Sequence, residues 1–321
     1  MSDAPGSATL TIGVDVGGTK IAAGVVDPAG NVIEKVRLET PATTAESVEE
    51  GIVEAVLQLT ARHEVLAVGV AAAGFVDETR SILRFAPNLP MVERPLRDLV
   101  SPRVGLPVVV ENDANAAAWG EHRFGGGRAA GDVVLITVGT GLGGGIVLNG
   151  RLLRGAFGSA GEVGHVRMVP GGRLCGCGNH GCWEQYTSGS ALIRAGRELA
   201  AQAPQIAVRL LELAGGEASA VTGDMITTAA REGDPASVGL LAEVGRWLGE
   251  GIADLACLLD PAVVVVGGGV SEAGDLLLDP ARQAYSTSLS AGAHRPHLQI
   301  VAAELGNDAG LVGAADLARF V

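Results

Sequence analysis

Four residues in one short stretch have the types and the spacing of a metal site. His165 is followed by Cys175, Cys177 and Cys182 in the pattern H-x9-C-x-C-x4-C. One imidazole and three thiols form a donor set that suits a closed, tetrahedral zinc site. Gly171, Gly172, Gly176, Gly178 and Gly181 leave this segment too glycine-rich to order itself, and a metal would order it. The alternative is three free thiols on a loop, a grouping prone to oxidation. A disulfide framework spreads its cysteines along a chain, whereas here only Cys257 lies elsewhere. Glu162 and Glu184 flank the cluster. The same loop would fix both carboxylates, and with an imidazole they suit recognition of several sugar hydroxyls. Solvated loop charge is the alternative.

Two glycine turns offer a second kind of chemistry. Gly17-Gly18-Thr19-Lys20 joins two strand-like runs. Its glycines let backbone N–H groups approach phosphate oxygens, and Thr19 and Lys20 add donors. Asp15, just before it, can hold magnesium through water. A Walker A loop needs G-x-x-x-x-G-K-[ST] before a helix, and this turn opens a strand. Gly139-Thr140-Gly141-Leu142-Gly143 is a second phosphate cradle of the same kind. Each turn alone reads equally as an ordinary hairpin. The segment from Asp15 to Val26 and the segment from Thr137 to Leu148 nevertheless echo one another at constant offset, which points to two related halves. Gly267-Gly268-Gly269 follows a buried strand and precedes a helix, as an adenosine-packing turn or as a plain helix entry. Asn112-Asp113 ends another strand where a helix begins. A carboxylate there can accept the proton of a hydroxyl that receives a phosphoryl group, or it can cap the helix.

The elements that must position these residues follow from hydrophobic patterning. Strands are expected at 10–16, 21–26, 32–38, 65–72, 108–110, 132–138, 146–148 with 152–153, 262–266 and 298–302. Helices are expected at 47–63, from 113 to about 123, and at 190–202, 222–232, 235–260 and 309–320. Aromatics are 3% of 321 residues, so the core is Ala, Val, Leu and Ile. The net charge of -13 disfavours nucleic acid and anionic membranes. The first ten residues do not read as a signal peptide, and no run approaches a membrane span of ~20 residues. A soluble, cytoplasmic protein is expected.

Together the motifs resemble the ROK (repressor, ORF, kinase) family of bacterial sugar kinases and repressors. The likeness rests on D-x-G-G-T-K at 15–20, E-N-D-A-N-A-A-A-x-G-E at 111–121 and T-V-G-T-G-L-G-G-G at 137–145. It rests also on G-x-x-G-S-A-G-E-V-G-H at 155–165 and C-x-C-G-x-x-G-C-x-E at 175–184. The resemblance implies an α/β, two-domain actin-like ATPase fold, ribonuclease H-like, with the ligand cleft between domains. A small domain of 1–112 plus about 303–321 and a large one of 113–302 carrying the zinc loop are expected. It implies ATP-dependent phosphorylation of glucose with Asp113 as general base. Sugar contacts fall to Asn88, Asn112, Glu162, His165 and Glu184, with His165 serving zinc through its other ring nitrogen. ATP, catalytic Mg2+ and structural Zn2+ are the implied cofactors, and a homodimer or homotetramer the implied assembly.

Three rivals remain at this stage. One is a kinase for mannose, fructose or an N-acetylhexosamine, or one using polyphosphate as donor. Another is the repressor branch, which carries a helix-turn-helix before the first glycine turn. Only fourteen residues precede Asp15, and the acidic charge opposes DNA binding. The third is a non-catalytic sugar-binding protein, which an intact Asp113 argues against.

Overall fold

A computed structural model describes residues 9–41 and 43–321. Continuous apolar runs give β1 (Thr11–Val16) and β2 (Lys20–Val26), nearly all of whose residues are buried. β3 (Val32–Glu39) alternates between half-buried and exposed, as an edge strand does. The three form an antiparallel meander. α1 (Ala45–Thr60) starts at a Thr44–Ser47 capping box and buries Val48, Ile52, Ala55, Val56 and Leu59. β4 (Val68–Ala72) then returns parallel to β1. β5 (Phe75–Val76), β6 (Leu83–Phe85) and β7 (Val92–Arg94) make a small antiparallel sheet. α2 (Leu96–Val104) leads to β8 (Val108–Asn112), which lies parallel to β4, and α3 (Asp113–Phe124) follows without a linker.

β9 (Val133–Val138), β10 (Leu142–Leu148) and β11 (Arg151–Leu152) begin a second sheet. Helices α4 (Gly189–Gln202), α5 (Val208–Leu213), α6 (Gly223–Arg231) and α7 (Pro235–Leu259) come next. β12 (Val263–Gly267), α8 (Asp275–Ser288), β13 (Gln299–Ala302) and α9 (Ala309–Leu317) close the chain. The first sheet has the order β3-β2-β1-β4-β8 and the second β11-β10-β9-β12-β13. Counted within each sheet, both read third, second, first, fourth, fifth. The echo between the two glycine turns is therefore an echo of topology, and the architecture is the expected ribonuclease H-like, actin-like α/β fold.

The chain divides into two compact units, Met1–Leu135 with Gly145–Gly161 and Glu304–Val321, and Ile136–Gly144 with Glu162–Ala303. A break after residue 112 was expected; α3 instead stays with the first unit because it packs along α9. Buried Asp316 on α9 accepts from Trp119 Nε1 at 2.8 Å and Arg123 Nε at 3.1 Å. Fully buried Glu121 accepts from Leu305 N at 2.8 Å and Glu304 N at 3.1 Å. Patterning misses β5–β7, α2, α5 and α8. Strands of two or three residues are too short for a period, and Pro102 and Pro280 interrupt two of the helices. Among the described residues no helix is long and apolar enough to cross a membrane.

α9 packs by backbone contact. A Cβ on Gly313 would stand 1.7 Å from the Ala116 carbonyl oxygen, and one on Gly13 would stand 1.8 Å from that of Leu311. Neither neighbour is a flexible side chain that can yield. Gly313→Ala should therefore lower stability by at least about 3 kcal/mol, the upper range for overpacking. Gly239→Ala, on α7 where no atom lies within 4 Å, should instead raise it by about 0.5–1 kcal/mol. Urea unfolding of both variants measures the contrast.

Candidate active site

In the first unit, register brings the chemistry to the carboxyl ends of parallel strands. Asp15 pairs with Ala71 and Ala71 with Glu111; Val16 pairs with Ala72 and Ala72 with Asn112. This end of a parallel sheet is where α/β proteins place ligands. Burial pushes the Asp15 carboxyl up to about 6, helped by the charge of Asp113, while Lys20 and Lys35 pull it down. Burial also raises the Asp113 carboxyl, against hydrogen bonds from Ala114 N, its own N–H and Asn112.

The helix cap is not Asp113. Asn112 holds that position, its Oδ1 accepting from Asn115 N at 2.9 Å. Its Nδ2 donates to Gly74 O at 3.0 Å and to Asp113 Oδ1 at 3.1 Å. Both amide hydrogens of Asn112 are thus engaged within the protein, and one lone pair of Oδ1 is left for a ligand. The cap alternative for Asp113 falls away, and its carboxylate is held in place by the residue that caps.

Asn88 sits in the β6–β7 turn, exposed, beside the first glycine turn. A Cβ on Gly18 would lie 3.1 Å from Asn88 O and 3.2 Å from its Cβ. The turn closes through Gly17 N donating to Lys20 O at 3.0 Å, and Thr19 and Lys20 are exposed.

In the second unit, His165, Cys175, Cys177 and Cys182 converge, their ligand atoms all within 4.8 Å of one another. Cys177 Sγ and Cys182 Sγ stand 3.7 Å apart, as do Cys175 Sγ and His165 Nδ1. A tetrahedron with ~2.3 Å metal–sulfur bonds has edges of about 3.8 Å, and a disulfide would need ~2.05 Å. The donor set therefore fits zinc. Burial pushes the Cys175 and Cys182 thiols up, while the Asn179 N–H lowers that of Cys177. Cys175 and Cys182 are buried and Cys177 is exposed, and a dication there would offset the charge of three thiolates. With Nδ1 turned to the cluster, His165 Nε2 remains for another partner.

The cluster is anchored by the residue between Cys182 and Glu184. Trp183 is buried, donates from Nε1 to Trp247 O at 2.9 Å and packs on Gly251 of α7, where a Cβ would stand 2.1 Å from its ring. Glu184 faces two ways. Its Oε1 accepts from Cys175 Sγ at 2.9 Å, and its Oε2 lies 2.9 Å from where a Cβ of Gly141 would be. The cysteine loop and the second glycine turn therefore meet at this carboxylate. Glu162 precedes the 3-10 turn Val163–His165, and His165 N donates to its carbonyl at 3.1 Å. Gly267 ends β12, while Gly268 takes φ 86 and leads into a 3-10 turn at Gly269–Ala273.

Residues 11–320 match the ROK family. The chain belongs to the ROK family. The glucokinase of Streptomyces coelicolor is 54% identical over 310 residues, covering 97% of this chain and 98% of that protein. A ROK family glucokinase from Streptomyces griseus, solved in complex with glucose and AMPPNP, is 54% identical with a TM-score of 0.88, covering 97% of this chain and all of that one. The ROK hexokinase from Thermus thermophilus is 36% identical with a TM-score of 0.79, over 97% and 98% of the two chains.

This ROK chain also uses residues that patterning does not single out. Buried Glu111 accepts from Arg154 Nε at 2.7 Å, and from Asn112 N and Asn115 Nδ2 at 3.2 Å each. It braces the joint that carries Asn112 and Asp113. Its place beside Asn112 was the available signal; the Arg154 partner has none in sequence.

The raised carboxyl of Asp15 has a consequence for stability. Its folded pKa of about 6 exceeds the unfolded 3.8, so the folded state binds more protons between those values. Stability then falls as pH rises from about 4 to 6 and stays lowered above. Asp15→Asn should make the protein more stable at pH 8, in chelator, by up to about 3 kcal/mol. The gain should vanish near pH 4. Denaturant unfolding at the two pH values tests this, and equal effects at both would remove the charge as its cause.

Proposed function

We propose that this protein transfers the γ-phosphoryl group of ATP to the 6-hydroxyl of glucose, giving glucose 6-phosphate and ADP. The observation that carries the reading is Asp113, a raised carboxyl at the end of a parallel strand, relieved of capping by Asn112. In the Streptomyces griseus relative the bound pair is glucose and AMPPNP, which supports glucose and ATP here. The 6-hydroxyl gives its proton to Asp113, its oxygen bonds to the γ-phosphorus, and the bond to the bridging oxygen of ADP breaks. Burial makes Asp113 a stronger base, and it acts in its ionised form.

The remaining roles follow residue by residue. Gly17, Gly18, Thr19 and Lys20, with Gly139, Thr140 and Gly141, hold phosphates; Gly267, Gly268 and Gly269 border the adenosine. Asn88, Asn112, Glu162, His165 and Glu184 take sugar hydroxyls, Asn112 through its one open lone pair. Magnesium, held through water by Asp15, would supply positive charge to the phosphates. Zinc, held by His165, Cys175, Cys177 and Cys182, would be structural. A cytoplasmic homodimer or homotetramer completes the reading.

A coupled assay over a panel of hexoses, with ATP and with polyphosphate, tests the substrates. Glucose with ATP should give the highest kcat/KM, and a higher value for any other pair would replace this reading. Asp113→Asn keeps shape and charge-free hydrogen bonding but cannot take the proton. Its turnover should drop ~10²–10⁴-fold with nucleotide affinity nearly unchanged. A folded variant with near-normal turnover would remove Asp113 from the mechanism.

Elemental analysis should find about one zinc per chain. Cys177→Ala should raise KM for glucose about tenfold or more, and that for ATP less, because the loop it orders carries Glu184. Active protein without zinc would contradict the metal assignment.

A further inference from the structure

We propose that Thr40 and Ser190 are positioning residues for the nucleotide phosphates, each fixing the direction of one peptide plane in a glycine turn. The inference rests on the kinase reading above and deepens it. Thr40 follows β3, and its Oγ1 donates to Gly17 O at 2.7 Å while its N donates to Thr19 O at 3.0 Å. Ser190 lies in the first turn of α4, and its Oγ donates to Thr140 O at 2.7 Å. Its neighbour Gly189 donates from N to Gly139 O, also at 2.7 Å. Each turn, in its own unit, thus has two carbonyls held from outside, one of them by a hydroxyl. Each also closes on itself alike, Gly17 N to Lys20 O and Gly139 N to Gly141 O, both at 3.0 Å.

In a trans peptide the C=O and the following N–H point in opposite directions. The Thr40 hydroxyl on Gly17 O therefore turns the Gly18 N–H the other way, and the Ser190 hydroxyl on Thr140 O does the same for Gly141. Among the described residues, Gly18, Thr19, Thr140 and Gly141 donate from N to no protein acceptor. A free carbonyl on such a turn would set a partial negative charge against a phosphate. With the carbonyls tied back, the turns offer N–H donors, which phosphate oxygens accept. Ser190 N also donates to Thr140 O, at 3.4 Å, and Ser190 is exposed, so its own N–H and water still satisfy that carbonyl without the hydroxyl. The bond's effect is then on direction, and its loss should touch binding more than stability.

The test is titration of magnesium with a non-hydrolysable ATP analogue into the full-length wild type, Thr40→Val, Thr40→Ser, Ser190→Ala and Ser190→Thr. Glucose affinity and thermal midpoint are measured beside it. Thr40→Val and Ser190→Ala should each weaken the nucleotide about 5- to 10-fold, the span of one hydrogen bond. Glucose affinity should stay within about twofold, and the conservative hydroxyl variants should restore the nucleotide to within about twofold. Because the turns are separate, the double variant should multiply the two losses. Unchanged nucleotide affinity in Thr40→Val and Ser190→Ala would overturn the proposal. So would equal losses of nucleotide, glucose and thermal midpoint with no rescue by hydroxyl. A wild type that binds no nucleotide would overturn the kinase reading as well, whereas a wild type that binds beside unaltered variants overturns this inference alone.

Discussion

Two carboxylates that repel one another are held in a poorly hydrated corner of the first unit. Asp15 and Asp113 each lose solvation, and each would be easier to bury protonated. The fold keeps them there by register and by backbone contact. β1, β4 and β8 end level with one another, so residues that follow their last rungs arrive at one edge. α9 lies against β1 at Gly13 and against α3 at Gly313, and its Gly310 has Asp15 Cγ 3.7 Å from where a Cβ would be. Few side chains intervene, so little can relax. An arrangement that opposes its own folding is maintained by close packing around it, as strained functional sites commonly are.

The duplicated sheet order accounts for much else. A strand, a glycine turn and a second strand recur in each unit. Each turn exposes N–H groups while a hydroxyl and a backbone N–H from a neighbouring element take its carbonyls. The neighbouring element differs, the end of β3 in one unit and the first turn of α4 in the other. Repetition therefore lies in what the turn presents, and each unit reaches it with the chain at hand.

Much of this was legible in the residues. The cysteine spacing predicts the convergence of His165, Cys175, Cys177 and Cys182, because a glycine-rich loop carrying four donors has few other ways to be ordered. Buried strands announce themselves as apolar runs, and the turns as glycines between them. What was not legible depends on partners distant in sequence. Asp and Asn cap helices about equally, so Asn112-Asp113 does not say which residue caps; the strand's last rung decides it. Asn88 is placed by a three-stranded sheet whose strands are too short to show a period. Glu111 finds Arg154 across 43 residues, and Thr40 reaches back to a turn formed before it.

The cysteine loop shows how four clustered side chains can position a neighbouring carboxylate through the chain that joins them. Trp183 ties Cys182 to α7 through a buried ring and a hydrogen bond to Trp247 O. Glu184 follows directly, within hydrogen-bonding distance of Cys175 Sγ and against Gly141. The protonated Cys175 thiol holds one oxygen of this carboxylate, and a backbone turn flanks the other. As a metal-bound thiolate Cys175 has no proton to donate, and the loop backbone anchored by Trp183 would then place Glu184. A side chain at Gly141 would displace it, and a cluster that came apart would release it. Gly141 and the cysteine loop therefore act on the same carboxylate, that of Glu184.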